Sequence, residues 1–217
     1  DTLFIVSSYE WRAGAMAGPN TNVVVLATGS LSLTTSSTKA WKFRYLHNFN
    51  LVTWSGGLLQ LYNRATFNNT PSAQFVVATG TADYDSAHSS TRLPFPTLIN
   101  HAGATLVKNN AGRNSLTMVL VTFGAVNVNG GWLQFRLGGE AKGTVFTVAN
   151  GAQLDFDLGV FNFVQPSKLL GSAGANLRFG TGLSNVDATY GVVGLTRVDG
   201  DINFLANSDF TTTVLTG

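Results

Sequence analysis

The 217 residues contain no cysteine, five prolines and few charges: Asp, Glu, Lys and Arg together make up 11%. An ordinary globular domain carries about 25% charged residues. Without cysteine, a disulfide scaffold and a thiolate metal site are both excluded. Scarce Glu, Lys and Arg argue against long solvent-facing helices, whose outer faces need them. No apolar run approaches the roughly 18 residues of a membrane span, so membrane insertion is not expected. The net charge of +2 is too small to point to nucleic acid or an anionic membrane, and the pI near 9.1 reflects the small number of acids. Asp1 reads as a processed start, and absent cysteine is compatible with export without proving it.

What is present excludes disorder. Hydrophobic residues make up 44%, with 15 Phe and 24 Gly, whereas disordered chains are poor in aromatics. Short β-branched or alternating runs recur at Val23–Ala27, Leu31–Thr35, Leu58–Tyr62, Gln74–Ala78, Thr144–Val148 and Asp201–Leu205. Most are bounded by Gly, Asn, Ser or Asp, as strands are. No stretch of 12 residues keeps a 3.6-residue period.

Self-comparison aligns Gly103–Leu106, Gly130–Phe135, Gly151–Phe156, Gly174–Phe179 and Asp199–Phe204. Repeats of 20 to 50 residues signal a repetitive architecture, and repeats built only of strands predict a solenoid. The anchor column reads Leu31, Leu59, Ala82, Leu106, Leu133, Leu154, Leu177, Ile202. Two residues on it reads Leu33, Leu61, Tyr84, Lys108, Phe135, Phe156, Phe179, Phe204. Side chains two apart share a strand face. Stacking therefore predicts an internal Leu/Ile column beside a Phe ladder from Phe135 to Phe204, with Lys108 as an irregularity. The alternate positions point outward, setting Arg136 beside Asp157 and Asp155 beside Arg178. Asn48, Asn69 and Asn100 follow Leu46-His47, Phe67-Asn68 and Leu98-Ile99, and stacked Asn at coil corners are expected to bond to one another.

Thr53–Leu58, Phe67–Asn69, Ala125–Gly131 and Thr144–Leu154 resemble the degenerate repeats of large secreted or surface-displayed right-handed β-helix proteins, of the autotransporter and filamentous-haemagglutinin-like type. The resemblance runs from about Trp11 to Phe204. It implies an extracellular stalk, adhesin or fibre role and brings no catalytic residues. The expected fold is all-β: a single right-handed parallel β-helix domain, 1–217, of about eight coils of 21–28 residues. Wider coils are expected around Ser86–Asn100 and Lys108–Thr117.

Such scaffolds also house polysaccharide lyases and glycoside hydrolases. Three Asp-x-Asp pairs, Asp83/Asp85, Asp155/Asp157 and Asp199/Asp201, share strand faces. Paired carboxylates serve acid–base chemistry at roughly 5 to 10 Å or ligate Ca²⁺. The first two pairs fall three coils apart, roughly 14 Å at strand spacing, and Arg136 and Arg178 neutralise the second. The pairs therefore read as solvated faces or turn caps. His47, His88 and His101 lack metal-motif spacing. Gly14–Gly18 and Gly171–Gly174 lack a following Lys-Ser/Thr and read as turns needing positive φ. Trp11, Trp41, Phe43, Tyr45, Trp54, Tyr62 and Trp132 would stack on sugars if exposed; in Trp41–Tyr45 the aromatics are expected inside and Lys42 and Arg44 outside. Thr34-Thr35 and Thr211–Thr213 do not recur in outward columns, which argues against an ice-binding array. The Asn68-Asn69-Thr70 sequon is weakened by Pro71.

No catalytic, cofactor-binding or metal residue is assigned, and no cofactor is called for. Neither end shows an amphipathic capping helix, and open strand edges template pairing with another chain. The expected partner is a second copy, head to tail, through Leu3, Phe4, Ile5, Val6, Phe210, Val214 and Leu215. Glycans are the further candidate partner. The expected function is an extracellular filament subunit or stalk module. A glycan-binding adhesin is the alternative, and a polysaccharide-cleaving enzyme comes last.

Overall fold

The computed structural model describes residues 2–62, 65–78, 81–84, 95–205, 208–210 and 214–216, with the side chains of 18–21, 43–44, 81–84, 209–210 and 214–216 left out. These residues form 28 strands and no helix. Every strand pairing is parallel, and the sheets stack as a β-solenoid of about nine turns, one more than the repeat spacing predicts. Each turn contributes a short strand to each of three faces. The first face runs from Thr2–Ile5 to Asp201–Phe204. The second runs from Ser8–Trp11 to Asp209–Phe210. The third includes Leu58–Leu61, Thr81–Tyr84, Arg113–Leu116, Trp132–Phe135, Gln153–Phe156, Asn176–Phe179 and Leu195–Val198, and ends at Val214–Thr216. Two longer strands, Gly14–Val25 and Lys39–Asn48, turn the corner from the third face into the first and join these two into one hydrogen-bonded sheet.

Most four-residue strands alternate between buried and part-exposed positions, as at Leu51–Trp54 and Asn176–Phe179. A two-residue period thus sends one set of side chains into the prism and the other out. The inward set stacks like on like. Phe135, Phe156 and Phe179 form the expected ladder, with ring centroids 6.0 Å apart at each step. Phe146, Phe161 and Phe163 close on Phe156 edge-on from the other two faces, at 5.4, 5.1 and 4.8 Å. Phe156 is therefore the hub of the core, where each buried Phe contributes about 1.5–3 kcal/mol.

The expected columns hold in part. Leu59 with Ala82, and Leu133 with Leu154 and Leu177, are register partners on the third face. Leu31 and Leu106 belong to the second face, and Ile202 and Phe204 to the first. The residues in register above Leu177 and Phe179 are Thr196 and Val198, so the Phe ladder ends at Phe179. Phe204 instead packs edge-on against Tyr190 at 6.0 Å. Strands on all three faces carry the same four-residue pattern, so sequence self-comparison does not separate one face from the next.

Coil widths differ as well. On the second face, Gln74 pairs with Thr105, 31 residues on, where neighbouring steps such as Leu51 to Gln74 and Thr105 to Ala125 take 23 and 20. The wide coil expected around Ser86–Asn100 is there. The one expected at Lys108–Thr117 is not: that stretch is a corner followed by the strand Arg113–Leu116. Lys108 sits in register between Val77 and Val128 with its side chain wholly inside the prism. Its ammonium reaches out to the Asn110 carbonyl and amide oxygens. Lys39 is the second inward lysine, donating to the Thr35, Ser37 and Gly56 carbonyls at 3.3, 3.0 and 3.2 Å. Both ammoniums fill corners with backbone carbonyls, which is how a buried cation avoids its desolvation cost. Burial still lowers both, Lys108 to about 8.

A polar seam runs inside the first face. Asn48 Nδ2 donates to Asn69 Oδ1 and Asn69 Nδ2 to Asn100 Oδ1, both at 2.8 Å. Asn100 continues to the Thr122 hydroxyl at 3.3 Å, and Thr144 bonds Thr122 in turn. The same amides also donate to the Gln74, Thr105 and Ala125 carbonyls. The expected Asn stacking is thus a continuous buried ladder, and buried polar groups require such partners. Of the expected glycine turns, Gly14 has φ +90°. Gly171 is a strand residue in the inward Val column, where an added Cβ would meet Ala175 and Val192 at 3.0 Å. Space, rather than positive φ, requires that glycine.

Candidate functional site

On the third face the outward positions of successive strands make two columns. One reads Arg113, Trp132, Gln153, Asn176, Leu195, and the other Ser115, Gln134, Asp155, Arg178, Arg197. Stacking places neighbours about 4.8 Å apart, so many of these side chains bond to one another, in two runs along the face. Arg113 covers the Trp132 ring at 3.9 Å and donates to Gln134 Oε1 at 2.9 Å. Gln134 passes a bond to Asp157 at 3.0 Å. Gln153 donates to Asp155 at 2.8 Å, and Arg178 binds Asp155 at 3.2 Å and Asp199 at 2.6 Å. Arg197 also binds Asp199 at 2.6 Å.

The expected Asp155–Arg178 pair is therefore present. The Arg136–Asp157 pair does not form: Asp157 accepts from Gln134 and Thr181 instead, and Arg136 Nε is buried without a hydrogen-bond partner. Alternation of sign also fails one step on, because Arg178 and Arg197 are direct register partners. Like charges in register repel, and Asp199, shared between the two guanidiniums, offsets this. The Asp155 side chain is fully buried. Burial raises its carboxyl above the usual range, opposed by Gln153, by Arg178 and by the nearby Trp132 indole, whose N–H falls short of hydrogen-bond geometry. Asp199 is held below its usual range by Arg197 and Arg178.

Between Trp132 and Leu195 this strip is hollowed into a groove of about 410 Å³, lined also by Gln153, Asn176, Arg178 and Arg197. The Arg197 side chain is 61% exposed. The groove combines an aromatic edge, neutral amides and guanidiniums. The acids beside it, Asp155 and Asp199, are already bonded to arginine, so it presents donors more than acceptors.

The remaining expected candidates fall elsewhere. Trp11, Trp41 and Trp54 are buried in the core; Trp11 and Trp54 donate to the Ala13 and Gly56 carbonyls. Lys42 lies outside over the Tyr62 ring at 4.5 Å, and Tyr45 is exposed. His47 and His101 are bridged by Asn68, through His47 Nδ1 at 3.1 Å and His101 Nε2 at 2.6 Å. This ties up the sequon asparagine, and burial lowers His47. Asp85, His88 and Thr211–Thr213 lie outside the described residues, as do the side chains of Phe43, Asp83, Phe210, Val214 and Leu215. Among the described residues no three His, Cys, Asp or Glu gather as metal ligands.

The first coil is the other distinctive surface. Leu3 and Tyr9 occupy inward columns yet are 39% and 42% exposed, and Phe4 and Val6 beside them are exposed too. Ile5, expected at an interface, is buried beneath Val25. What sequence reasoning missed is the joint use of Trp132, Arg178 and Arg197. The outward column order contained the signal, but Arg197 becomes Arg178's neighbour only once the strand Leu195–Val198 is assigned to the third face. Comparison with protein-family models, curated proteins and solved structures finds no match, so the β-solenoid rests on this chain's own geometry.

Proposed function

We propose that the chain is a structural module of an extracellular fibre or surface stalk, of the kind built by secreted autotransporter-type β-helices, and that it stacks end to end with a second copy. The exposed inward residues of the first coil support this. Leu3 heads the column that ends at Ile202, and Tyr9 heads the one that ends at Phe210. A second copy placed coil on coil continues both columns and both sheets, burying Leu3, Phe4, Val6 and Tyr9 against the coil that bears Phe210, Val214 and Leu215. Parallel edges accept such strand addition. Sparse surface charge lowers the repulsion that keeps molecules apart.

The test is sedimentation velocity at rising concentration with electron microscopy of the same samples. Rods that lengthen with concentration, and that Leu3→Lys with Tyr9→Lys returns to single particles, are expected. A monomer across the whole range, or assembly indifferent to the double substitution, overturns the proposal.

A further inference from the structure

We propose that the third-face groove is a binding site for an acidic oligosaccharide, a chain of pyranose units bearing carboxylates. The inference stands independently of end-to-end stacking. Trp132 and Leu195 lie three coils apart in one column, about 14 Å at strand spacing. A coil step is close to the length of one pyranose unit in an extended chain, so a short oligosaccharide laid along the solenoid axis meets one rung per sugar. Trp132 offers an apolar surface to a ring, and its indole is held in place by the Arg113 guanidinium packed 3.9 Å away. Gln153 and Asn176, the two rungs between, offer amides to hydroxyl groups; Gln153 spends one N–H on Asp155 and keeps its carbonyl oxygen. Asn176 makes no side-chain bond to any described residue.

Charge decides between neutral and acidic sugars. Among the described residues Arg197 bonds only through Nε, to Asp199, and Arg178 through Nε and Nη1. The outer amino groups of both guanidiniums remain for a ligand. The acids beside them are engaged: Asp155 is buried on Arg178, and Asp199 is shared by both arginines. The two amino groups of Arg197 form a guanidinium fork that matches a carboxylate with two parallel bonds, and Arg178 one coil away keeps Nη2 for a single charge-assisted bond to the neighbouring unit. A single-stranded nucleic acid also uses stacking and cations, but it needs a run of aromatics along a strongly basic track. One tryptophan and a net charge of +2 do not supply these.

The test is calorimetric titration of the full chain with tetrasaccharides of galacturonate, of mannuronate and of alternating glucuronate and N-acetylglucosamine. Methyl-esterified galacturonate tetramer, cellotetraose and an oligothymidylate serve as comparisons. Binding of at least one uronate tetramer is expected, weakened at least tenfold by esterification, by Arg197→Gln and by Trp132→Ala. Arg197→Gln removes an exposed side chain and is expected to leave the unfolding midpoint in place. Absence of binding to all three uronates overturns the assignment. So does equal affinity for cellotetraose or the ester, tighter binding of the oligothymidylate, or wild-type affinity in Arg197→Gln.

Discussion

Asn69→Asp changes one atom in the middle of the buried asparagine ladder. Asn69 Nδ2 donates to Asn100 Oδ1 at 2.8 Å and to the Thr105 carbonyl at 3.1 Å, while its Oδ1 accepts from Asn48. Aspartate keeps the shape and the acceptor. It turns the donor into a second oxygen facing two oxygens. Each buried acceptor left without its donor costs about 1–3 kcal/mol, and placing an ionised carboxylate there adds a desolvation cost. The expected loss is about 4 kcal/mol or more at pH 7, a large share of the roughly 5–15 kcal/mol that holds a domain. Burial raises the folded-state pKa of the new carboxyl, so the loss shrinks as pH falls toward 4 and the protonated acid donates one bond again. Asn69→Thr is the internal control, because Thr122 already occupies the same column and a hydroxyl keeps one donor. Its expected cost is about 1–2 kcal/mol. Urea unfolding followed by tryptophan fluorescence at both pH values reads all three proteins. An Asn69→Asp loss below about 1 kcal/mol, or one that does not shrink in acid, would refute the claim that the ladder's donors carry its stability.

Lys108 titrates lower in the folded chain, at about 8 against 10.5. Between these values the unfolded chain holds the extra proton, so wild-type stability rises with pH, by up to about 3 kcal/mol. Lys108→Met removes this rise, and the difference between the two proteins in urea midpoints from pH 7 to 10.5 measures it, with Lys39 common to both. Phe156→Ala deletes the ring at the hub of five aromatic contacts and is expected to cost about 3–5 kcal/mol; Phe204→Ala, in a partly exposed position, costs about half as much in the same assay. Asp155 has a raised folded pKa, so its contribution to stability falls as pH rises from the ordinary carboxyl value through the folded one. Asp155→Asn lacks that decline, which unfolding midpoints across pH 3.5 to 7 would show.

The fold class was legible because alternation and repeat length are local properties. Leu133, Leu154 and Leu177 could be stacked from sequence alone, and so could Asn48, Asn69 and Asn100. Face assignment was not legible. Leu106 and Ile202 sit at the same alternating position of a four-residue strand as true members of the Leu133 column, and register assigns them to other faces. Lys108 is an irregularity in its column because a cation does not match the Leu and Phe that share it. Inside the prism its methylene stem packs among valines and its ammonium finds a corner, as long cationic side chains do when they extend toward polar surroundings. The groove was half legible: Asp155 with Arg178 followed from the columns, and Arg197 with its shared Asp199 did not, because the 19-residue step from Leu177 to Thr196 is shorter than the two before it on that face, 21 and 23.

The strands of every face lie across the solenoid axis, and their hydrogen bonds, like those of the asparagine ladder, lie along it. A pull applied between the two ends therefore opens one seam at a time instead of shearing many bonds together. Each ordinary coil that peels away frees about 60–80 Å of chain, from 18 to 25 residues at roughly 3.3 Å apiece. The coil from Gln74 to Thr105, with its 31 residues, frees about 100 Å. Mechanically the molecule is a spool whose lengths of thread are set by the repeat, with one long turn marking its position in the series.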